Sequence, residues 1–192
     1  MIEQLKNLEN LDRTEVYNAI YTLFEVSTSV KVYRCHQDYS GNYDELYNAY
    51  ATFNTKQCEQ GLVDYFLDNV FYTDKTIEHV FYIKEPVTTF LKYEALKMLV
   101  AQELGQKAYV TLNNANEDFI VLDGAVIVLD VTNEGAITGG KISTMVSDVK
   151  NANLIFNKLK ENSVEFLKQI TPETTMANSI KRKIKELKSN LK

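Results

Sequence analysis

Hydrophobic positions along the chain follow two different periods, and the boundary between them falls near Lys107. From there to Val131 the runs KAYVTL, FIVL and AVIVLDV are short, rich in β-branched residues and separated by polar turns, the pattern of strands. Asp123-Gly124 lies between the last two runs. A type I′ turn needs positive φ at both central residues, which these two tolerate, so a hairpin is expected there. The pattern predicts a three-stranded antiparallel meander over 107–132 as the centre of the fold.

The remaining chain has mainly helical spacing. A short helix is expected over Ile2 to Leu8. Asp12 with Glu15 gives a capping-box start, and Val16, Ile20, Leu23 and Phe24 continue a helix to Val26. Val30 to Cys35 reads as a strand. Helices are then expected at Tyr43 to Phe53 and Lys56 to Phe71, a strand over Thr76 to Lys84 stopped by Pro86, and a helix from Val87 to Leu104 ended by Gly105. Ser143 or Thr144 can cap a long helical stretch to Ile170, with Asn162-Ser163 as an interruption. Thr171-Pro172-Glu173 restarts a helix with Met176, Ile180, Ile184, Leu187 and Leu191 on one face. The expected fold class is α+β: a small antiparallel β-meander packed against several helices in a single domain. Residues 1–172 would form an acidic body, and the basic amphipathic helix 173–192 would pack on the same domain.

Composition narrows the functional classes. The 192 residues are 45% hydrophobic and 24% charged, which is ordinary for a globular protein. From Glu173 onward six basic residues face two acidic ones, whereas the preceding body holds 15 basic and 24 acidic residues. An acidic body of net charge −9 repels nucleic acid and favours basic protein partners. Cys35 and Cys58 are too few for a disulfide framework, the N-terminus lacks a signal-peptide pattern, and the longest apolar run is AVIVL. These features imply a cytoplasmic protein with no membrane segment.

Candidate chemistry is sparse. Gly135, Gly140 and Lys141 match the opening of a phosphate-binding loop. The next position needs a hydroxyl for magnesium, yet it is Ile142, with Ser143 one residue late. A flexible turn is the expected alternative. Cys35, His36, Cys58 and His79 lack the close pairing of a zinc site. The pairs Asp44-Glu45 and Glu117-Asp118 read as solvent groups at helix starts or loop tips. No catalytic residue, cofactor or metal is therefore expected. The two competing possibilities are a nucleotide-binding enzyme using the 135–141 turn and a virion or scaffold component that self-associates through 173–192.

Tyrosine is over-represented, with eight of the 12 lying between Tyr33 and Tyr82. Tyrosine gives a large contact area with few rotors to freeze and one polar handle. An acidic, aromatic partner-binding face is expected at Tyr39, Tyr43, Asp44, Tyr47 and Tyr50. The expected function is a non-enzymatic inhibitor or modulator that occupies a basic protein. In its Lys, Asn and Tyr-rich composition and low proline and glycine content, the chain resembles the orphan host-takeover proteins of large phages infecting low-GC Gram-positive bacteria. The resemblance implies binding of the host RNA polymerase sigma factor and inhibition of host transcription.

Overall fold

The computed structural model describes residues 7–35, 74–82, 105–132 and 137–165, together with Gln102, Arg182, Lys185 and Ser189. Two compact units divide the chain: Met1–Ser40 with Lys75–Ile83 and Tyr109–Val164, and Gly41–Asp74 with Lys84–Ala108 and Glu165–Lys192. Most described residues belong to the first.

The elements run β1 (Leu8–Asp12), α1 (Arg13–Val26), β2 (Ser29–Arg34), β3 (Thr76–Tyr82), β4 (Lys107–Thr111), β5 (Asp118–Leu122), β6 (Ala125–Val131), β7 (Ile137–Ser143), α2 (Val146–Glu161) and β8 (Ser163–Glu165). The strands form one 8-stranded sheet in the order β1-β7-β6-β5-β2-β3-β4-β8. Strand β2 is parallel to β3 and antiparallel to β5, while β5/β6, β6/β7 and β7/β1 are antiparallel. This large mixed sheet, with two helices bounded within the described residues, replaces the fold expected from the sequence, a small meander against several helices; of the helices expected at 43–53, 56–71, 87–104 and 173–192, all but Gln102, Arg182, Lys185 and Ser189 lie outside the described residues. The strands were mostly legible, but their neighbours were not. Strand β4 pairs away from β5, whose second neighbour is β2. Only the β5/β6 hairpin of the expected meander forms.

Helix α1 begins where the sequence places it. Asp12 N–H donates to Glu15 Oε2 and Glu15 N–H to Asp12 Oδ1, each at 2.9 Å, closing the capping box. Val16, Ala19 and Leu23 are buried, and the helix lies against β7 and β1. At its other end Lys75 Nζ donates to Glu25 O at 3.1 Å and to Ser27 O, a cation set against the negative helix end.

Alternation and register place Tyr33, Val80, Phe119, Val121, Val126, Val128, Lys141 and Ser143 on one face of the sheet. Helix α2 covers part of that face, driving Ala152, Phe156 and Leu159 into a core with Tyr33, Val80, Phe119, Val121 and Val126. Phe156 and Tyr33 are fully buried. The Tyr33 hydroxyl accepts from Ala115 N–H at 2.9 Å, and burial pushes its pKa up.

Residues 137–143 form neither a phosphate loop nor a flexible turn, and Gly135 lies outside the described residues. They form β7, clamped between β1 and β6. A Cβ at Gly140 would fall on the Val128 carbonyl oxygen, and one at Gly139 on that of Leu11. The glycines serve close backbone approach within the sheet. The end of the expected Ile2 to Leu8 helix is strand instead, since Leu8 opens β1, and residues 1–6 lie outside the described residues.

The Asp123-Gly124 hairpin is present, with Leu122 opposite Ala125. Neither residue is among those with positive φ, so the turn is not type I′. A tertiary clamp decides its form. Asp123 Oδ2 accepts from Thr28 N–H at 2.7 Å and Thr28 Oγ1 at 2.8 Å, and Oδ1 from Ser29 N–H at 2.9 Å. Partial burial opposes ionisation of Asp123, but these bonds and the Lys75 charge outweigh it and hold its pKa below the usual value.

Two predictions follow from this clamp. Because no atom lies within 4 Å of a Cβ built on Gly124 and its φ is not positive, Gly124→Ala is expected to leave stability unchanged or raise it by about 0.5 kcal/mol in urea unfolding. A type I′ turn would instead lose stability. A lowered folded pKa gives stabilisation that is present above the unfolded carboxyl pKa, about 3.9, and lost as pH falls through the folded value. Asp123→Asn should therefore cost about 1 kcal/mol at pH 7, a value reduced for solvent screening, and the difference from wild type should vanish in strong acid.

Candidate functional site

A two-chambered cleft opens on the α2 side of the sheet. The first chamber, about 500 Å³, has Phe119, Val126 and Val128 from the sheet and Met145, Ala152 and Ile155 from the helix segment as apolar walls. Asn7, Ser143 and Asp148 bring polar atoms to it. The second, about 360 Å³, is mainly polar, with Glu9, Asn10, Asn116, Glu117, Asp130 and Lys141 beside Val128, Leu129 and Val131. Glu9, Glu117, Val128 and Lys141 line both, which makes them the shared wall. These volumes are in the range of small-molecule sites.

Ser143 is the best-defined polar group in the cleft. Its hydroxyl lies 2.6 Å from Asp148 Oδ2 and 3.2 Å from Asn7 Oδ1, and accepts from Met145 N–H at 3.2 Å. The charged and nearer acceptor takes the single proton, so the hydroxyl donates to Asp148. Asn7 Oδ1 also accepts from Thr144 N–H at 3.1 Å. These bonds have a structural use as well. The N-cap residue of α2, Met145, has no side-chain cap bond, and Ser143 and Asp148 close that first turn instead.

Lys141 stands two residues before Ser143 on the same face of β7, directly opposite Val128. Among the described residues, Lys141, Glu9 and Glu117 make no ion pair with one another, although all three line both chambers. Their charges are therefore available to a ligand. Asn7, Asn10 and Asn116, with φ of 47°, 56° and 65°, all border the cleft. Asparagine is one of the few residues that adopts this left-handed conformation readily.

A second polar cluster lies at the carboxyl end of β2. Asp118 is wholly buried, with Arg34 Nε 3.4 Å from its Oδ2 and the Cys35 N–H donating to its Oδ1. Burial and then the Asp118 charge push the Cys35 thiol up to about 12, so it is no nucleophile at neutral pH. This knot is structural, and it corrects the expectation that Glu117 and Asp118 are both solvent groups. Glu117 faces the cleft, and Asp118 begins β5 with no exposed surface.

The other sequence candidates are not brought together. Tyr39, Tyr43, Asp44, Tyr47 and Tyr50 lie outside the described residues, as do His36 and Cys58. His79 stacks on Phe81 with ring centroids 6.0 Å apart. Among the described residues, no three His, Cys, Asp or Glu side chains are grouped to hold a metal, and no helix is long and apolar enough to cross a membrane. Of helix 173–192, the described residues are Arg182, Lys185 and Ser189. The sequence places a helix cap at Ser143 or Thr144, whereas the N-cap is Met145 and Ser143 closes the first turn through Asp148. The sequence has no signal for the cavity around that turn.

No family model and no curated protein matches the chain. Solved structures do. TrmBL2, described as an archaeal chromatin protein with a novel mode of DNA binding, matches at TM-score 0.48 and 11% identity over 83% of this chain and 54% of that one, so the chain spans about half its length. NucT from Helicobacter pylori matches at TM-score 0.48 and 13% identity, covering 83% and 98% of the two chains. Nuc from Salmonella typhimurium, a phospholipase D family member, matches at TM-score 0.50 and 7% identity over 83% and 97%. At that identity the Nuc match is a likeness of fold. It overturns the expectation of a non-enzymatic protein-binding inhibitor, which rested on the lack of a catalytic motif. The architecture is one that an enzyme family uses, so a missing motif does not argue against catalysis.

The Asp118 knot yields a stability prediction. Removing one partner of a buried ion pair leaves an uncompensated charge, so Asp118→Ala should cost about 3 kcal/mol or more in urea unfolding. A loss below about 1 kcal/mol would show that the pair does not hold the end of β2.

Proposed function

We propose that the chain is a hydrolase that works by acyl transfer in the α2-side cleft, with Ser143 as nucleophile and Asp148 as its proton acceptor. The observation that carries this reading is the 2.6 Å bond between the Ser143 hydroxyl and Asp148 at the wall of a cavity of about 500 Å³. A nucleophile bonded to a base inside a concave, partly apolar site is the minimum constellation for covalent catalysis. The likeness of fold to a phospholipase D family member supports an enzyme. The reaction class is drawn from the site itself.

The steps balance on groups present in the chain and one water. Ser143 Oγ attacks the carbonyl carbon of a bound ester or amide, and its proton passes to Asp148 as the C–O bond forms. The carbonyl oxygen gains negative charge, which the nearby Lys141 ammonium stabilises. Collapse of the intermediate breaks the bond to the leaving group, which takes the proton from Asp148. Water then attacks the acyl-serine and gives a proton to Asp148, the acyl–oxygen bond breaks, and Asp148 returns that proton to Ser143 Oγ as the acid leaves. Phosphodiester cleavage fits the cleft less well, because Glu9, Glu117 and Asp130 face one lysine there and repel an anionic substrate.

The test uses the full chain with p-nitrophenyl acetate, p-nitrophenyl butyrate and bis-p-nitrophenyl phosphate, and a fluorophosphonate as a serine-directed label. Ester hydrolysis is expected, with kcat/KM lowered at least about 100-fold in Ser143→Ala and in Asp148→Asn, and the label is expected on the Ser143 peptide. Circular dichroism confirms folding, since loss of the bond that closes the first turn of α2 costs only about 1 kcal/mol. Absence of ester turnover, or turnover indifferent to Ser143→Ala, sinks the reading.

A further inference from the structure

We infer that the substrate is an ester or amide of an apolar acyl group whose leaving group carries no negative charge. This rests on the reading of Ser143 as nucleophile. Its own basis is the chemical difference between the two chambers that meet beside that residue.

Ser143 and Asp148 border the first chamber only, and the walls there are Phe119, Val126, Val128, Met145, Ala152 and Ile155. A group attached to a carbonyl at Ser143 and directed into this chamber meets hydrocarbon on the sheet side and on the helix side. About 500 Å³ accommodates a chain of several methylenes, and each one buried improves binding roughly fourfold. Met145 and Ile155 are partly exposed, at 49% and 37%, so the free protein leaves apolar surface along the cleft that an acyl chain would cover.

The second chamber continues past the shared wall of Glu9, Glu117 and Lys141. Val128, Leu129 and Val131 line part of it, but it is mainly polar, and its amides from Asn10 and Asn116 offer donors and acceptors to a polar group. Three carboxylates against one ammonium make it unfavourable for phosphate or carboxylate. A carbonyl held at Ser143 therefore has one side suited to an acyl chain and the other to a neutral or cationic polar leaving group.

The test has two arms on the full-length protein. In the first, kcat/KM is compared for p-nitrophenyl acetate and butyrate; butyrate should be favoured about tenfold, and Met145→Glu or Ile155→Glu should bring the ratio close to one. In the second, butyrylthiocholine is compared with butyryl-coenzyme A, whose leaving group bears phosphates. The cationic leaving group should be favoured at least about tenfold at low salt, with the preference shrinking as salt screens it and in the Glu117→Gln, Asp130→Asn double variant. Ser143-dependent turnover without an acyl preference, or with coenzyme A preferred, overturns the substrate assignment and leaves the hydrolase reading standing. Turnover of none of these substrates overturns both.

Discussion

Strand β2 is pinned at both ends by aspartates at the two ends of β5, and the sheet is assembled around that double clamp. At the start of β2, Asp123 gathers the Thr28 and Ser29 amides and the Thr28 hydroxyl. At its end, Asp118 receives the Cys35 amide and the Arg34 guanidinium. Because one carboxylate opens a five-residue strand and the other directly follows it, they fix the β2/β5 register. A slip of one residue would exchange the faces of β2, taking Tyr33 out of the core under α2 and Val30 out of its buried place on the opposite face. With the register fixed, β2 offers its other edge to β3, and the parallel pair at the centre of the sheet follows.

The cleft depends on that register. Phe119, Val126 and Val128 present their side chains to α2 because β5 and β6 are locked in phase with β2. The helix packs through Ala152, Phe156 and Leu159, and its first turn reaches the end of β7, where Ser143 meets Asp148. Glycine at 139 and 140 lets β1 and β6 close on β7, which brings Asn7 and Glu9 to the cleft wall. The same residues thus serve assembly and line the cleft. Ser143 closes the first turn of α2 and presents a hydroxyl to the cleft, and Lys141 is an exposed strand residue that becomes the cation of an otherwise acidic wall.

What sequence reasoning missed has a common physical origin. Local signals were sound where local physics decides: the Asp12/Glu15 capping box, the β-branched runs of β2, β5 and β6, and the breaks around Asn162. The failures were long-range. Parallel pairing of β2 with β3 leaves no trace in either strand, and β5 accepting β2 as neighbour could not be seen from a meander-like order of strands. The glycines of β7 resembled a turn because their use is close approach to Leu11 and Val128, contacts far away in the chain. The Asp123-Gly124 turn took its form from Thr28 and Ser29, and so departed from the I′ geometry that the dipeptide favours.

By itself the sequence determined which segments are α1, β2, β3, β5 and β6, and that the body of the chain is acidic, since periodicity, capping and charge are properties of neighbouring residues. Only the tertiary structure decided the strand order, the burial of Asp118 beside an exposed Glu117, and the cleft that joins Ser143, Asp148 and Lys141 to Glu9. Those depend on which distant backbone occupies the next place in the sheet, and that choice is settled by hydrogen-bond and packing complementarity across the whole unit, which no local stretch encodes.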